Sequence, residues 1–560
     1  MNIKKEAQPK KELSISIKIL LVLVGLFILN AIACSIFTRF DLTQDKRYTL
    51  SEASKNTIAE VNSPIVVTVF LKGDLPSDYK RLATETAQLL EEFSAYNSNV
   101  KYSFVDPIEE NAEEFLNTNG MTPTYITEEA TNKISRESVY PWAIANYGNK
   151  TVKVALYKNN LASSDDEKIA GSVQHLEYAF ADAFTKLTLI EKQTVAILRG
   201  NGELDDVYIT SFLQTLKEYY KIAPFDLSAF PDNPEKSLEN LQRFDLAIIP
   251  KPTKAFSDQE KYILDQYTVG GGKSLWLVEN VLAEMDSLYT GNGNTLAFPR
   301  DLRLNDFFFE YGIRINPKLV NDMQCAPIMM AVGEGNNTQF LPIQWRYNPL
   351  VQPTEKHPIT NNTNLVRFEF ANQIDTLKSS TKKTILLKSS ETSKLEGVPK
   401  PISLSVIENE PTLEEYLGKG NQNLAVLVEG TFESVYKNRV KPFQYANNKE
   451  QGESKMVVIA DGDVIKNQVT RGKPQELGFD IATKRQYGNK EFLLNSVNYL
   501  LDNNGLINIR SKELKLAFLN TEKVIAEKSY WQWINIGLPL AILAIFGLAF
   551  TYFRKRKFAK

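Results

Sequence analysis

Asp461 and Asp463 follow the apolar run Met456 to Ala460, so two carboxylates stand one residue apart at the end of a buried strand. Such a pair can hold a magnesium ion. That chemistry needs further acidic and basic groups at set places, and the sequence identifies none, so a polar loop is the simpler reading. A second strand, Thr194 to Leu198, runs into Arg199-Gly200-Asn201-Gly202-Glu203. Loops at the carboxyl ends of parallel strands are where α/β sheets bind ligands. These five residues, with Asp461 and Asp463, are the candidate ligand or partner cleft, with a tight turn as the alternative.

Nucleophiles and bases are scarce. The chain has two cysteines and two histidines in 560 residues. Cys34 lies in an apolar run and Cys325 in Gln-Cys-Ala-Pro, which leaves no disulfide framework, CxxC pair or histidine-based triad. His175 sits beside the apolar stripe of a helix. Gly270-Gly271-Gly272-Lys273-Ser274 suggests a phosphate loop, but Tyr267 stands where that loop needs its first glycine. A helix precedes these glycines and a strand follows, the reverse of a phosphate loop. No catalytic residue, metal or cofactor is expected, and no ATP hydrolysis by the chain itself.

The elements that position these residues are clearest from Phe244 to Glu279. Leu246 to Ile249 is a buried strand closed by Pro250, Ser257 and Glu260 form a capping box, and Ile263, Leu264 and Tyr267 repeat at helical spacing. The glycines stop the helix, and Ser274 to Val278 forms the next strand, giving two parallel strands with a crossover helix. Upstream, a helix within 41–63, a strand Ile65 to Leu71, a helix carrying Tyr79, Leu82, Thr86, Leu89 and Phe93, and a strand Val100 to Val105 follow in order. A short helix, Asn111 to Asn119, then precedes Pro123 and a hairpin turning at Gly148-Asn149. Helices over 172–188 and 207–220, and a closing helix with Phe492, Leu493, Val497, Leu500 and Leu501, complete the count. Between Gly291 and Ser454 the pattern loosens into short β-like runs whose Phe307, Phe308, Phe309, Trp345 and Phe370 must bury.

Basic and acidic residues are balanced, 65 to 67, so no nucleic-acid partner is indicated. Ile19 to Phe37 is apolar, preceded by Lys4, Lys5, Lys10, Lys11 and Lys18, and long enough to cross a bilayer. The alternative is a cleaved or lipidated signal at Cys34, where Ala31 replaces the usual leucine. Ile534 to Phe553 is a second span, with Trp531 and Trp533 before it and Arg554 to Lys557 after it. Positive flanks place both termini in the cytoplasm and residues 40–530 in the periplasm, a two-pass inner-membrane protein. Gly537, Ala541, Ala544 and Gly547 recur every three or four residues and form a candidate helix-contact surface in lipid.

The upstream order resembles a thioredoxin-like domain, with Pro123 where such folds often keep a cis-proline and with Gly73-Asp74-Leu75-Pro76 in place of the catalytic cysteines. The second sheet resembles class I glutamine amidotransferase (flavodoxin-like) domains without their nucleophile. The expected fold is therefore α/β. It runs as a basic tail (1–18), a span (19–38), a thioredoxin-like domain (40–190), and an amidotransferase-like domain (191–290 and 456–510) interrupted by a β-rich insertion (291–455). A linker (511–530), a second span (534–553) and a basic tail (554–560) follow.

RFDLTQDKRYTLSEAS, the stretch 244–279 and KMVVIADGDVIKN resemble auxiliary components of bacterial ABC transporters. LNDFFFEYGIRINPKLVNDMQCAPI and FEFANQIDTLKSS narrow the resemblance to the gliding-motility-associated GldG family of Bacteroidota. It implies a non-catalytic accessory or substrate-binding subunit, with a separate multi-span permease and a separate cytoplasmic ATPase as partners. The alternatives are a structural brace without ligand and a periplasmic hydrolase or amidotransferase. Asp286-Ser287-Leu288 and Asp375-Thr376-Leu377 resemble Bacteroidota O-glycosylation acceptors, making Ser287 and Thr376 candidates for modification.

Overall fold

Apolar residues that alternate along a strand must bury on two opposite faces, and a large sheet covered on both sides follows from this. The computed structural model describes residues 15–35, 49–59, 61–130, 133–189, 191–333, 338–353, 356–408, 411–502, 505–512 and 521–558. The expected helix start at 41–48 and most of the linker at 513–520 lie outside the described residues.

Residues 1–49 form one unit, whose described part includes the helix Ile15–Ser35, 21 residues passing through Cys34. Residues 50–560 form the other. Its first part is a four-stranded sheet in the order Val100–Phe104, Ile65–Val69, Trp142–Tyr147, Lys150–Ala155. The first pair is parallel, and the helix Ser77–Tyr96 between them buries Tyr79, Leu82, Thr86, Leu90 and Phe93 at steps of three and four. Phe93 meets Phe184 edge to face at 5.1 Å, which packs this helix on the long helix Asp165–Thr188. That helix starts at a capping box, Ser164 with Glu167. Gly148, at φ 56°, makes the tight turn of the expected hairpin. Pro123 departs from expectation: the cis bond among the described residues is Val398–Pro399.

The large sheet has seven strands, in the order Lys382–Lys388, Asn423–Glu433, Gln451–Ile459, Lys273–Leu277, Leu246–Pro250, Thr194–Arg199 and Lys221–Asp226. The last five run parallel. Period-two alternation sorts their side chains: Val195, Ile197, Leu246, Ile248, Leu275 and Leu277 face one core with Phe212 and Phe492. Ala196, Leu198, Ala247, Ile249 and Trp276 face the other, with Ile263, Leu264 and Phe307. Helices Asp206–Tyr219 and Asn489–Leu501 cover the first face, and Pro234–Leu241 and Asp258–Val269 the second. Pro224 is tolerated because its strand is an edge.

The stretch expected to be an insertion is divided between two structures. Lys382–Lys388 and Asn423–Glu433 extend the large sheet as antiparallel strands, because Val426 and Val428 supply the same apolar alternation as Val458 and Met456 beside them. The remainder builds small β-sheets around Trp345, Tyr347 and Phe370. Phe307 and Phe308 bury as expected, whereas Phe309 is exposed, pointing away from the helical face that packs on Trp276.

Two ionic clasps tie the parts of this unit together. Glu491, on the closing helix, pairs with Lys158 at 2.5 Å and with Arg510 at 2.9 Å, and Arg510 also donates to the carbonyls of Pro358 and Asn361. Glu177, on the long helix, accepts from the Ser51 amide at 2.7 Å and from Lys512 at 2.9 Å. Ser51 and Lys512 are therefore held at one place.

Burial alone would raise the Glu491 carboxyl, but Lys158 and Arg510 outweigh it and hold it at about 2, against an ordinary 4.5. A depressed carboxyl contributes stability that is full above its unfolded value and is lost as pH falls through the folded one. The melting temperature should therefore drop between pH 4.5 and 2. Glu491→Gln should lower stability at neutral pH and flatten this dependence, which calorimetry across that range would check.

Candidate functional site

Three neighbouring parallel strands end at Pro250, Leu277 and Ile459, and each delivers charge within a few residues: Lys251, Glu279, then Asp461 and Asp463. Lys251 lies at φ 57°, a left-handed turn between two prolines that redirects its side chain over the strand ends. Its amide donates to the Leu277 carbonyl at 2.9 Å, fixing that turn. Position 462 must be glycine for the same reason, since a Cβ there would lie 2.3 Å from Lys251 Cγ.

The Lys251 ammonium reaches Asp463 at 2.5 Å, Glu284 at 2.9 Å and Glu279 at 3.3 Å. Arg300 bridges the two glutamates from the other side, 3.1 Å from Glu279 and 3.3 Å from Glu284. The Gly462 amide donates to Glu279 at 3.0 Å. Asp461 is a brace: its oxygens accept the amides of Asp463 at 2.7 Å and Glu369 at 2.6 Å. Lys466 stands 3.5 Å from Asp463, and Arg367 is 3.4 Å from Glu369.

Burial first, then the neighbouring Asp463 and Glu284, push the Glu279 carboxyl up to about 8 against the pull of Lys251 and Arg300. Burial and the adjacent Asp463 and Glu279 also raise Asp461. Asp463 goes the opposite way: burial would raise it, but Lys251 and Lys466 hold it low. Glu279, Asp461 and Asp463 offer oxygens within 4.8 Å of one another, close enough to share a divalent ion. The ammonium of Lys251 already lies against two of the three, so the donor set is neutralised by a resident side chain and fits a metal poorly.

Beside this cluster is a cavity of about 210 Å³ whose walls include Met285, Tyr289, Ile328, Arg367, Asp463 and Lys466. Asp463 thus joins the charged cluster to an opening. Asp461 lies beneath it, fully buried.

The glycine loop after Arg199 is elsewhere. Arg199 pairs with Asp206, and the Asn201 carbonyl accepts the amides of Thr253 and Lys254 at 2.9 and 2.8 Å. A Cβ on Gly202 would lie 2.3 Å from Thr253 Oγ1, so this residue lets two loops close on one another. Gly200, at φ 111°, would carry a Cβ 2.8 Å from Asp226. Glu203 accepts the Asn201 amide at 2.8 Å. These five residues form a joint between strand ends and are not among the residues lining that cavity, which Asp463 does line.

Lys251, Glu279, Arg300 and Glu369 were missed. A signal for the first two was present: each is a charge placed one or two positions after a buried apolar run, Leu246–Pro250 or Leu275–Leu277. Cys325 is buried in an antiparallel strand, its thiol donating to Gln344 at 3.4 Å, and burial pushes it up to about 12. His175 is half-buried in its helix, and desolvation with Lys158 and Arg510 nearby holds it well below the ordinary range. Ser287 and Thr376 are both exposed.

The C-terminal helix Thr521–Phe558 contains a stretch, Ala526–Phe558, long and apolar enough to cross a membrane. Gly537, Ala541, Ala544 and Gly547 are exposed along it, and a Cβ at either glycine would meet nothing within 4 Å.

A family described as "ABC-type uncharacterized transport system", an auxiliary component, matches residues 192–496, more than half of the chain. Residues 44–146 match a "Domain of unknown function (DUF7088)". No curated protein gives a significant match. A solved chain described as "mmIFT52 N-terminal domain" aligns at 13% identity over 55% of this chain and 98% of its own. Its TM-score of 0.32 is too low to carry weight.

Replacing Lys251 by methionine leaves Asp463 and Glu279 buried without their cation, a class of change that costs about 3–5 kcal/mol. Chemical unfolding of Lys251→Met should show a loss of that order. Adding Asp463→Asn should recover part of it, because one uncompensated charge is removed.

Proposed function

Because this chain belongs to the auxiliary family of ABC-type transport systems, we propose that it is the membrane-anchored accessory or substrate-binding subunit of such a transporter. It works beside a separate multi-span permease and a separate cytoplasmic ATPase. The observation that carries this reading is the family match over the large sheet, together with a C-terminal helix able to span a membrane. In the finer reading the transporter is the one associated with gliding motility in Bacteroidota, on the sequence blocks at 304–328 and 368–390. The first sheet is a thioredoxin-like scaffold and the second an amidotransferase-like scaffold, both without turnover. Cys325, protonated and buried, argues against the hydrolase alternative.

The chain crosses the inner membrane twice, at Ile15–Ser35 and within Ala526–Phe558, with both termini in the cytoplasm. The shared attachment of Ser51 and Lys512 to Glu177 supports this, since two spans of opposite direction require both ends of the folded unit on one side. Ser287 and Thr376 then lie on the periplasmic side, accessible to O-glycosylation.

Reporter fusions after Thr43 and after Phe558 are expected to report opposite sides of the membrane, and matching signals would contradict the topology. The small-residue surface of the second span contacts the permease. Exchange of Gly537, Ala541, Ala544 and Gly547 for leucine keeps the span apolar while filling the groove. Capture of permease and ATPase on the tagged variant should fall severalfold, and undiminished capture would reduce that span to a tether.

A further inference from the structure

The cavity beside Asp463 holds an unusual combination of charge and apolar wall. Five carboxyl groups, Glu279, Glu284, Glu369, Asp461 and Asp463, face four bases, Lys251, Arg300, Arg367 and Lys466. A sixth carboxyl, Asp286, lies exposed at the rim. Within the cluster the carboxyls outnumber the bases by one, and protons retained on Glu279 and Asp461 make up the difference. The Asp463 side chain is 4% exposed, and its buried Oδ1 has no hydrogen-bond donor among the described residues, the Lys466 ammonium pairing with it only at 3.5 Å. A buried carboxylate oxygen without a donor is a costly feature that a ligand can relieve. Around it the cavity is mixed: Met285, Ile328, Phe368 and Phe479 form an apolar side, with the half-exposed ring of Tyr289, and Arg367, Glu369 and Lys466 form a charged one. A ring beside an acidic rim attracts cations.

We propose that this cavity binds a small organic amine as its ammonium ion, the positive head donating to Asp463 Oδ1 and Glu369 and the apolar body resting on Met285, Ile328, Phe368 and Phe479. The inference rests on the substrate-binding reading of the preceding subsection and names the ligand class for it. An arriving ammonium takes the place of one such proton, which leaves to solvent as the amine enters, so the charge of the cluster is unchanged. Glu279 and Asp461, which burial and mutual repulsion hold toward the protonated form, are the groups that release it. The cavity's volume, about 210 Å³, sets the size: a body of a few carbons fits, and a polyamine or peptide does not.

The test uses the full chain in detergent with three probes of one shape, n-butylammonium, n-butanol and butyrate, measured by titration calorimetry. Butylammonium should bind saturably and about tenfold more tightly than the other two, the scale expected of one charge-assisted hydrogen bond. Its heat should change between buffers of different ionisation enthalpy, reporting proton release. Asp463→Asn should abolish binding. Because Asp463 also pairs with Lys251, Asp286→Asn at the exposed rim is the second variant, expected to weaken binding severalfold with folding intact. Equal or tighter binding of butanol or butyrate, or no binding of butylammonium, would overturn the proposal. Amine binding that persists in a chain which captures no permease would instead sink only the transport reading.

Discussion

The ammonium of Lys251 is the contact on which the upper end of the large sheet depends. Two strands bring carboxylates to one point out of water, where like charges repel strongly and solvent cannot screen them, and the strand between Thr194–Arg199 and Lys273–Leu277 brings the lysine. Without a cation at that point the loops after Leu277 and Ile459 could not approach as they do. With it, Glu279 accepts the Gly462 amide and Asp461 accepts those of Asp463 and Glu369, so one charge orders loops from three parts of the chain. The left-handed backbone at residue 251 and the glycine at 462 are the steric conditions for that placement.

The same arrangement accounts for how an α/β sheet of this kind can serve as a binding module. The carboxyl ends of parallel strands are the usual seat of ligands and catalytic ions. Here that seat is divided: a lysine neutralises its inner part, and the outer part remains a small cavity with one unsatisfied carboxylate oxygen. The family match and the spanning helix are what tie such a module to a transporter. Glu177 adds a mechanical link, because Ser51 and Lys512, far apart in the sequence, are held by the same helix.

Much of the fold was legible because it depends on local periodicity. Ser257 with Glu260, the strand at 246–250 and the helix stop at Gly270 appear where the sequence places them. The strands Lys382–Lys388 and Asn423–Glu433 were not assigned to the large sheet, since nothing local distinguishes an antiparallel edge strand that returns to a distant sheet from a strand of an insertion. The site was half legible. Asp461 and Asp463 stood out by type and spacing, but their partners Lys251, Glu279 and Arg300 are joined to them only by the order of strands. The glycines at 200 and 202 suggested ligand approach, whereas the chain uses them to let Asp226 and Thr253 come close.

Lys251 thus takes the place of a divalent cation beside Glu279 and Asp463, two of the three carboxylates that could hold one. Titration of the full chain with manganese, followed by electron paramagnetic resonance of the free ion, tests it directly. The account predicts no stoichiometric site up to about 1 mM, a concentration at which three vacant carboxylates would bind. One equivalent bound tightly in the unaltered chain, and lost on Asp461→Asn, would contradict it.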